Sequence, residues 1–159
     1  LSIQENIGFG DVEYWNHPER AKAAASKAGI AVFIDSLEKQ YQTPLGNLFP
    51  DGRELSGGQW QKIGLSRAFM SSAQILILDE PTSAMDAIAE FDLYQRFRQL
   101  TQGKITFFIS HRFSSVRLAD RILVLDEGRI AELGTHEELL SRAGLYAKMY
   151  DMQAAGYAP

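Results

Sequence analysis

The stretch Ile75-Leu76-Ile77-Leu78-Asp79-Glu80 decides the fold. Four large aliphatic residues that stop at two acids have the length and composition of a strand covered on both faces, as in a parallel sheet. Working downstream, Ala87 to Leu100 reads as an amphipathic helix, Gly103 as its stop, and Ile105-Thr106-Phe107-Phe108-Ile109 as a second buried strand. A short helical stretch from Phe113 leads to a third strand, Ile122 to Leu125. Strand, helix, strand, helix, strand at this spacing predicts βαβ crossovers, hence an α/β fold with a parallel sheet and helices on its faces. Asp126-Glu127-Gly128-Arg129 then reads as a hairpin turn into Ile130 to Leu133. Thr135-His136-Glu137-Glu138 is a capping box ahead of an amphipathic helix that Gly144 interrupts.

Upstream the pattern is helical. Pro18 suits a first helical position, the residues from Glu19 to Ala25 are mostly strong helix formers, and Gly29 is a natural stop. A second short helix is expected from about Val32 to Leu37, and a loop from Thr43 to Gly52 by its Pro, Gly, Asn and Asp content. Ser56 and Gln59 form a capping box that starts a helix running to about Met70. Gly8 and Gly10 are expected to end any regular element near the start. These readings divide the chain into a small helical subdomain, residues 1–71, and a sheet-bearing part, residues 72–159.

The chain has 159 residues, 45% apolar and 23% charged, a formal net charge of −4 and no cysteine. No disulfide framework, thiolate nucleophile or Cys-ligated zinc is available. The acidic balance argues against a partner such as nucleic acid, which selects clustered Lys and Arg. No apolar run approaches the roughly 20 residues that cross a bilayer, so no direct membrane insertion by this segment is expected. The opening at Leu1, without methionine or a signal-peptide pattern, has the look of a piece of something longer.

Leu55-Ser56-Gly57-Gly58-Gln59 places two glycines and a capping serine at a helix start, where outward backbone N–H groups and the helix dipole suit a phosphate. The alternative is a plain helix start after a flexible loop. Asp79 is a hard oxygen ligand of the kind Mg²⁺ prefers, and Glu80 has the chemistry to hold or deprotonate an attacking water. The alternative is two acids that end a strand in solvent. His111, directly after the second strand, is either a structural hydrogen bonder or a member of the same site.

Taken together and in this order, these segments resemble the nucleotide-binding domain of ABC transporters. Leu55 to Gln59 is similar to that family's signature motif, Ile75 to Glu80 to its Walker B strand with the catalytic glutamate, Ser83-Ala84-Met85-Asp86 to its D-loop, and Ser110-His111 to its H-loop. Glu5-Asn6-Ile7-Gly8-Phe9-Gly10 resembles the segment just past the Q-loop of exporter-type domains. No phosphate loop of the form G-x-x-x-x-G-K-[ST] occurs, so the resemblance is to the C-terminal part of such a domain: a partial P-loop NTPase-like, RecA-like core plus a helical subdomain. Where exporters usually carry an acid after a Thr-x-x-Gly run, Asn47 follows Thr43-Pro44-Leu45-Gly46, and Trp60 stands where a basic residue is common.

The resemblance implies an ATPase that powers substrate movement across a membrane through head-to-tail pairing with a second nucleotide-binding domain. It implies that Ser56, Gly57, Gly58 and Gln59 hold the γ-phosphate of ATP bound to the partner, that Asp79 supports Mg²⁺, and that Glu80 is the base on the lytic water. His111 would contact the γ-phosphate within its own subunit, and Asp86 would couple the two sites. It further implies transmembrane domains as partners, a place at the cytoplasmic face of the membrane, and no turnover by this segment alone. The other readings are a soluble DNA-repair or chromosome-type ABC ATPase, disfavoured by the lack of a sustained heptad run and by the acidic charge, and a regulatory module that does not hydrolyse nucleotide.

Overall fold

The computed structural model describes residues 1–47, 51–82, 96, 97 and 100–156. The D-loop residues Ser83 to Asp86, and all of the helix expected over Ala87 to Leu100 except Arg96, Phe97 and Leu100, lie outside the described residues. The chain divides into two compact units, Leu1–Phe107 and Phe108–Pro159.

The first unit is built on four helices: α1 (Ile3–Gly8), α2 (Pro18–Ala28), α3 (Ala31–Asp35) and α4 (Gly57–Met70). α1 ends at Gly8, where a glycine stop is expected, and Ser2 and Glu5 form a capping box at its start. Glu5 N–H donates to Ser2 Oγ at 3.2 Å and Ser2 N–H to the Glu5 carboxylate at 2.7 Å. Those bonds also hold the Glu5 carboxyl below its ordinary range. On α2, Ala21, Ala24, Ala25 and Ala28 are all buried at helical spacing, and these small side chains let α4 approach closely. Ile3, Ile7, Ile30, Ile34, Ile63 and Met70 join Ala21, Ala24 and Ala25 in one continuous core.

Buried Asn6 ties α1 to α4: Arg67 donates from Nε to the Asn6 carbonyl at 2.8 Å and from its guanidinium to Asn6 Oδ1 at 2.9 Å. The expected loop is pinned on both sides. Ile3 N–H donates to Thr43 O, Leu45 N–H to Leu1 O, and Arg53 N–H to Pro44 O, at 2.8 to 3.0 Å. That double anchorage delivers buried Leu55 and, after it, the start of α4.

Also within this unit, β1 (Ile75–Asp79) pairs in parallel with the start of β2 (Ile105–Ile109), and Ile105 N–H donates to Gln74 O at 2.9 Å. The strands depart from the expected cover on both faces. Leu76 and Leu78 are buried, whereas Ile75 and Ile77 are 57% and 66% exposed. Burial of the second face needs a layer that the described residues do not supply.

In the second unit, α5 (Phe113–Val116) is followed by β3 (Ile122–Asp126) and β4 (Arg129–Gly134), an antiparallel pair. Glu127 and Gly128 both have positive φ, 45° and 74°, the signature of the tight hairpin turn expected there. Ile122 and Val124 pack on Leu139 of α6 (His136–Ser141) and Tyr146 of α7 (Leu145–Gly156). Among the described residues, β3 pairs with β4 rather than extending the β1–β2 sheet.

Candidate functional site

Each part of the site is assembled locally. At the start of α4, Gln59 N–H donates to Ser56 Oγ at 3.3 Å and Ser56 N–H donates to Gln59 Oε1 at 2.8 Å. This reciprocal pair fixes the entry of the chain into the helix while Ser56 and Gly57 stay exposed. Ser56 is in extended backbone, φ −66° and ψ 160°, as an N-cap is, and the Gly57 and Gly58 amides of the first turn are the ones suited to an anion. Trp60 is on the next turn, 37% exposed, with its N–H bonded to Ser56 O at 2.9 Å.

Asp79 closes β1 and is exposed; Glu80 follows in a half-buried position with φ 46°. A glutamate in left-handed backbone costs on the order of 1 kcal/mol or more, and such residues cluster where geometry serves function. The turn is anchored by buried Pro81 and by Thr82, which has no exposed surface and whose hydroxyl has no hydrogen-bond partner among the described residues. An orphaned hydroxyl two residues from Glu80 marks a polar site left open to a further group.

Among the described residues no three His, Asp or Glu side chains come together to hold a metal. Mg²⁺ is commonly held by one or two carboxylates together with substrate phosphates, and Asp79 offers one such carboxylate.

In the second unit, His111 is exposed in the loop between β2 and α5. The loop is braced by its own serines: Arg112 N–H donates to Ser110 Oγ at 3.0 Å, and the Ser115 hydroxyl donates to Arg112 O at 2.6 Å. Asp86 lies outside the described residues.

A family model described as ABC transporter matches residues 1–83, just over half of the chain. This chain belongs to the ABC transporter family. It is 44% identical over 149 residues to the subtilin transport ATP-binding protein SpaT of Bacillus subtilis, covering 94% of this chain and 24% of that protein. To the ATP-dependent lipid A-core flippase of Alcanivorax borkumensis it is 43% identical over 151 residues, covering 95% of this chain and 25% of that protein. Among solved structures it is similar to that of a bacterial Atm1-family ABC exporter with ATP bound, at TM-score 0.87 and 39% identity, over 99% of this chain and 27% of that one. The chain therefore spans about a quarter of the length of the curated relatives it matches. The mixed helix and strand architecture is that of a partial NTPase-like α/β fold. No described helix of this ABC-family chain is long and apolar enough to cross a membrane.

Proposed function

We propose that this chain is part of the ATP-binding and ATP-hydrolysing domain of an exporter-type ABC transporter, in which ATP-driven pairing of two such domains powers substrate movement through transmembrane partners. The observation that carries the reading is the capped start of α4, where Ser56 and Gln59 lock each other and leave the first turn exposed. On the family's head-to-tail arrangement, a phosphate held there belongs to the nucleotide of a second domain. The division into residues 1–71 and 72–159 is one of role: the first presents the signature segment to the partner, and the second holds the hydrolytic groups.

In this scheme the amides of Gly57 and Gly58 and the Ser56 hydroxyl meet the γ-phosphate in trans, with the Gln59 side chain holding the segment in place for it. Asp79 supports Mg²⁺, which when bound neutralises phosphate charge. The Glu80 carboxylate orients the attacking water and takes its proton. His111 contacts the γ-phosphate, and Asp86 couples the two sites. The domain works at the cytoplasmic face of the membrane, held there by its transmembrane partners.

The test is Glu80→Gln in the complete protein. The amide keeps size but loses the basic oxygen, so ATP binding should persist while turnover falls by about 100-fold or more. Hydrolysis at the parent rate would contradict the assignment of Glu80.

A further inference from the structure

The main chain from the His111 carbonyl to the Phe113 amide is held by a single side chain from α7. Gln153 Nε2 donates to the His111 carbonyl at 3.0 Å, and Gln153 Oε1 accepts from the Phe113 N–H at 2.9 Å. A carboxamide is suited to this because it offers a donor and an acceptor from one rigid plane. The partners are 42 and 40 residues apart in sequence, so neither bond is local turn chemistry.

The register that brings Gln153 to the loop is set by packing. The Phe113 ring meets Tyr146 and Tyr150 edge-on, with centroids 5.1 and 5.4 Å apart, and Tyr146 is buried against β3. On its other side the same loop is stiffened by Ser110 and Ser115, whose hydroxyl oxygens lie 3.1 Å apart. His111 is thus carried on a short segment gripped from two directions.

We propose that Gln153 is a positioning residue for His111: its amide clamps the backbone of the histidine loop and makes the C-terminal helix part of the catalytic apparatus. The proposal rests on the reading of His111 as the group that contacts the γ-phosphate. Losing the clamp leaves nucleotide binding alone but lets the imidazole wander, and displacements of about an ångström are enough to slow chemistry.

The experiment uses the complete protein with Gln153→Met, which keeps length but neither donates nor accepts. ATP turnover should fall about tenfold with KM for ATP changed less than about twofold. The Phe113 amide should exchange with deuterium at least about tenfold faster. Placed on a His111→Ala background, Gln153→Met should cause no further loss of turnover, because its effect passes through the imidazole. An equal fold-loss on both backgrounds would overturn the proposal by showing a merely structural role.

Gln153→Glu serves as the second variant. It retains the acceptor for Phe113 N–H but sets a carboxylate oxygen against the His111 carbonyl, so turnover should fall while Phe113 stays slowly exchanging. Parent-rate turnover in either Gln153 variant would overturn the proposal. Parent-rate turnover in His111→Ala alone would contradict the role of His111 and the proposal with it, and is told apart because Gln153 is intact there.

Discussion

The carboxylate of Glu132 on β4 fills the space beside Gly144 and from there accepts hydrogen bonds from the amides of Leu145 at 3.1 Å and Tyr146 at 2.8 Å. A residue from a strand thus supplies the cap that Gly144 lacks, and a Cβ at Gly144 would collide with it. Gly144→Ala should therefore destabilise the protein by about 1–3 kcal/mol in urea unfolding. Adding Glu132→Ala should remove the collision, so the double variant should be less destabilised than the sum of the two single ones. Strict additivity would contradict this contact.

Tyr146 is buried, and burial first, then Tyr150 and Glu137, hold its hydroxyl above the ordinary value of 10.0. The folded state keeps this proton longer than the unfolded state. The associated stability is fully present below about pH 10 and is lost as pH rises through the folded pKa. Tyr146→Phe also removes the 2.8 Å contact with His136 Nδ1 and should cost about 1 kcal/mol near neutral pH. The gap between parent and variant should narrow above pH 10; a constant gap would contradict the shift.

At the signature segment, stability and function should separate. Ser56→Ala removes the acceptor for Gln59 N–H and should cost about 1 kcal/mol. Gly57→Asp puts an acid in the first turn of α4, where the helix dipole favours it, so stability should hold or rise slightly. The same charge would face the γ-phosphate of the partner's ATP, so turnover of the complete protein should collapse. Retained turnover would contradict contact in trans.

The isolated chain should bind MgATP weakly and release no phosphate, because the loop that wraps the inner phosphates does not occur in it. Calorimetry with a phosphate-release assay checks this, and micromolar binding with steady hydrolysis would contradict it.

Local chemistry was the legible part of the sequence. The boxes at Ser56 and Thr135 and the turn at Glu127-Gly128 depend on residues within three positions of one another, and each forms as read. The box at Ser2 has the same three-residue spacing, and the helix it starts ends at Gly8, where a glycine stop is expected. The glycines at 8 and 10 also serve close packing: a Cβ at Gly8 would lie 2.9 Å from the Trp15 carbonyl, and one at Gly10 would strike that of Arg67. Apolar residues on both faces of β1 told its type correctly but not its exposure, since cover depends on layers beyond the strand. The grip of Gln153 on the His111 loop was out of reach because it joins residues 42 apart. Motif spacing singles out Ser56, Asp79, Glu80 and His111 as candidates, whereas the left-handed turn at Glu80 becomes visible only in the structure.

The most direct measurement of the head-to-tail claim is a cross-link. The chain contains no cysteine, so Ser56→Cys introduces a single thiol into this segment. Paired with a cysteine in the phosphate loop of the complete protein, it should form a disulfide between two chains when ATP is present and hydrolysis is blocked by Glu80→Gln. Without nucleotide the yield should drop sharply. Cross-links only within one chain, or a yield between chains that ignores ATP, would contradict the account.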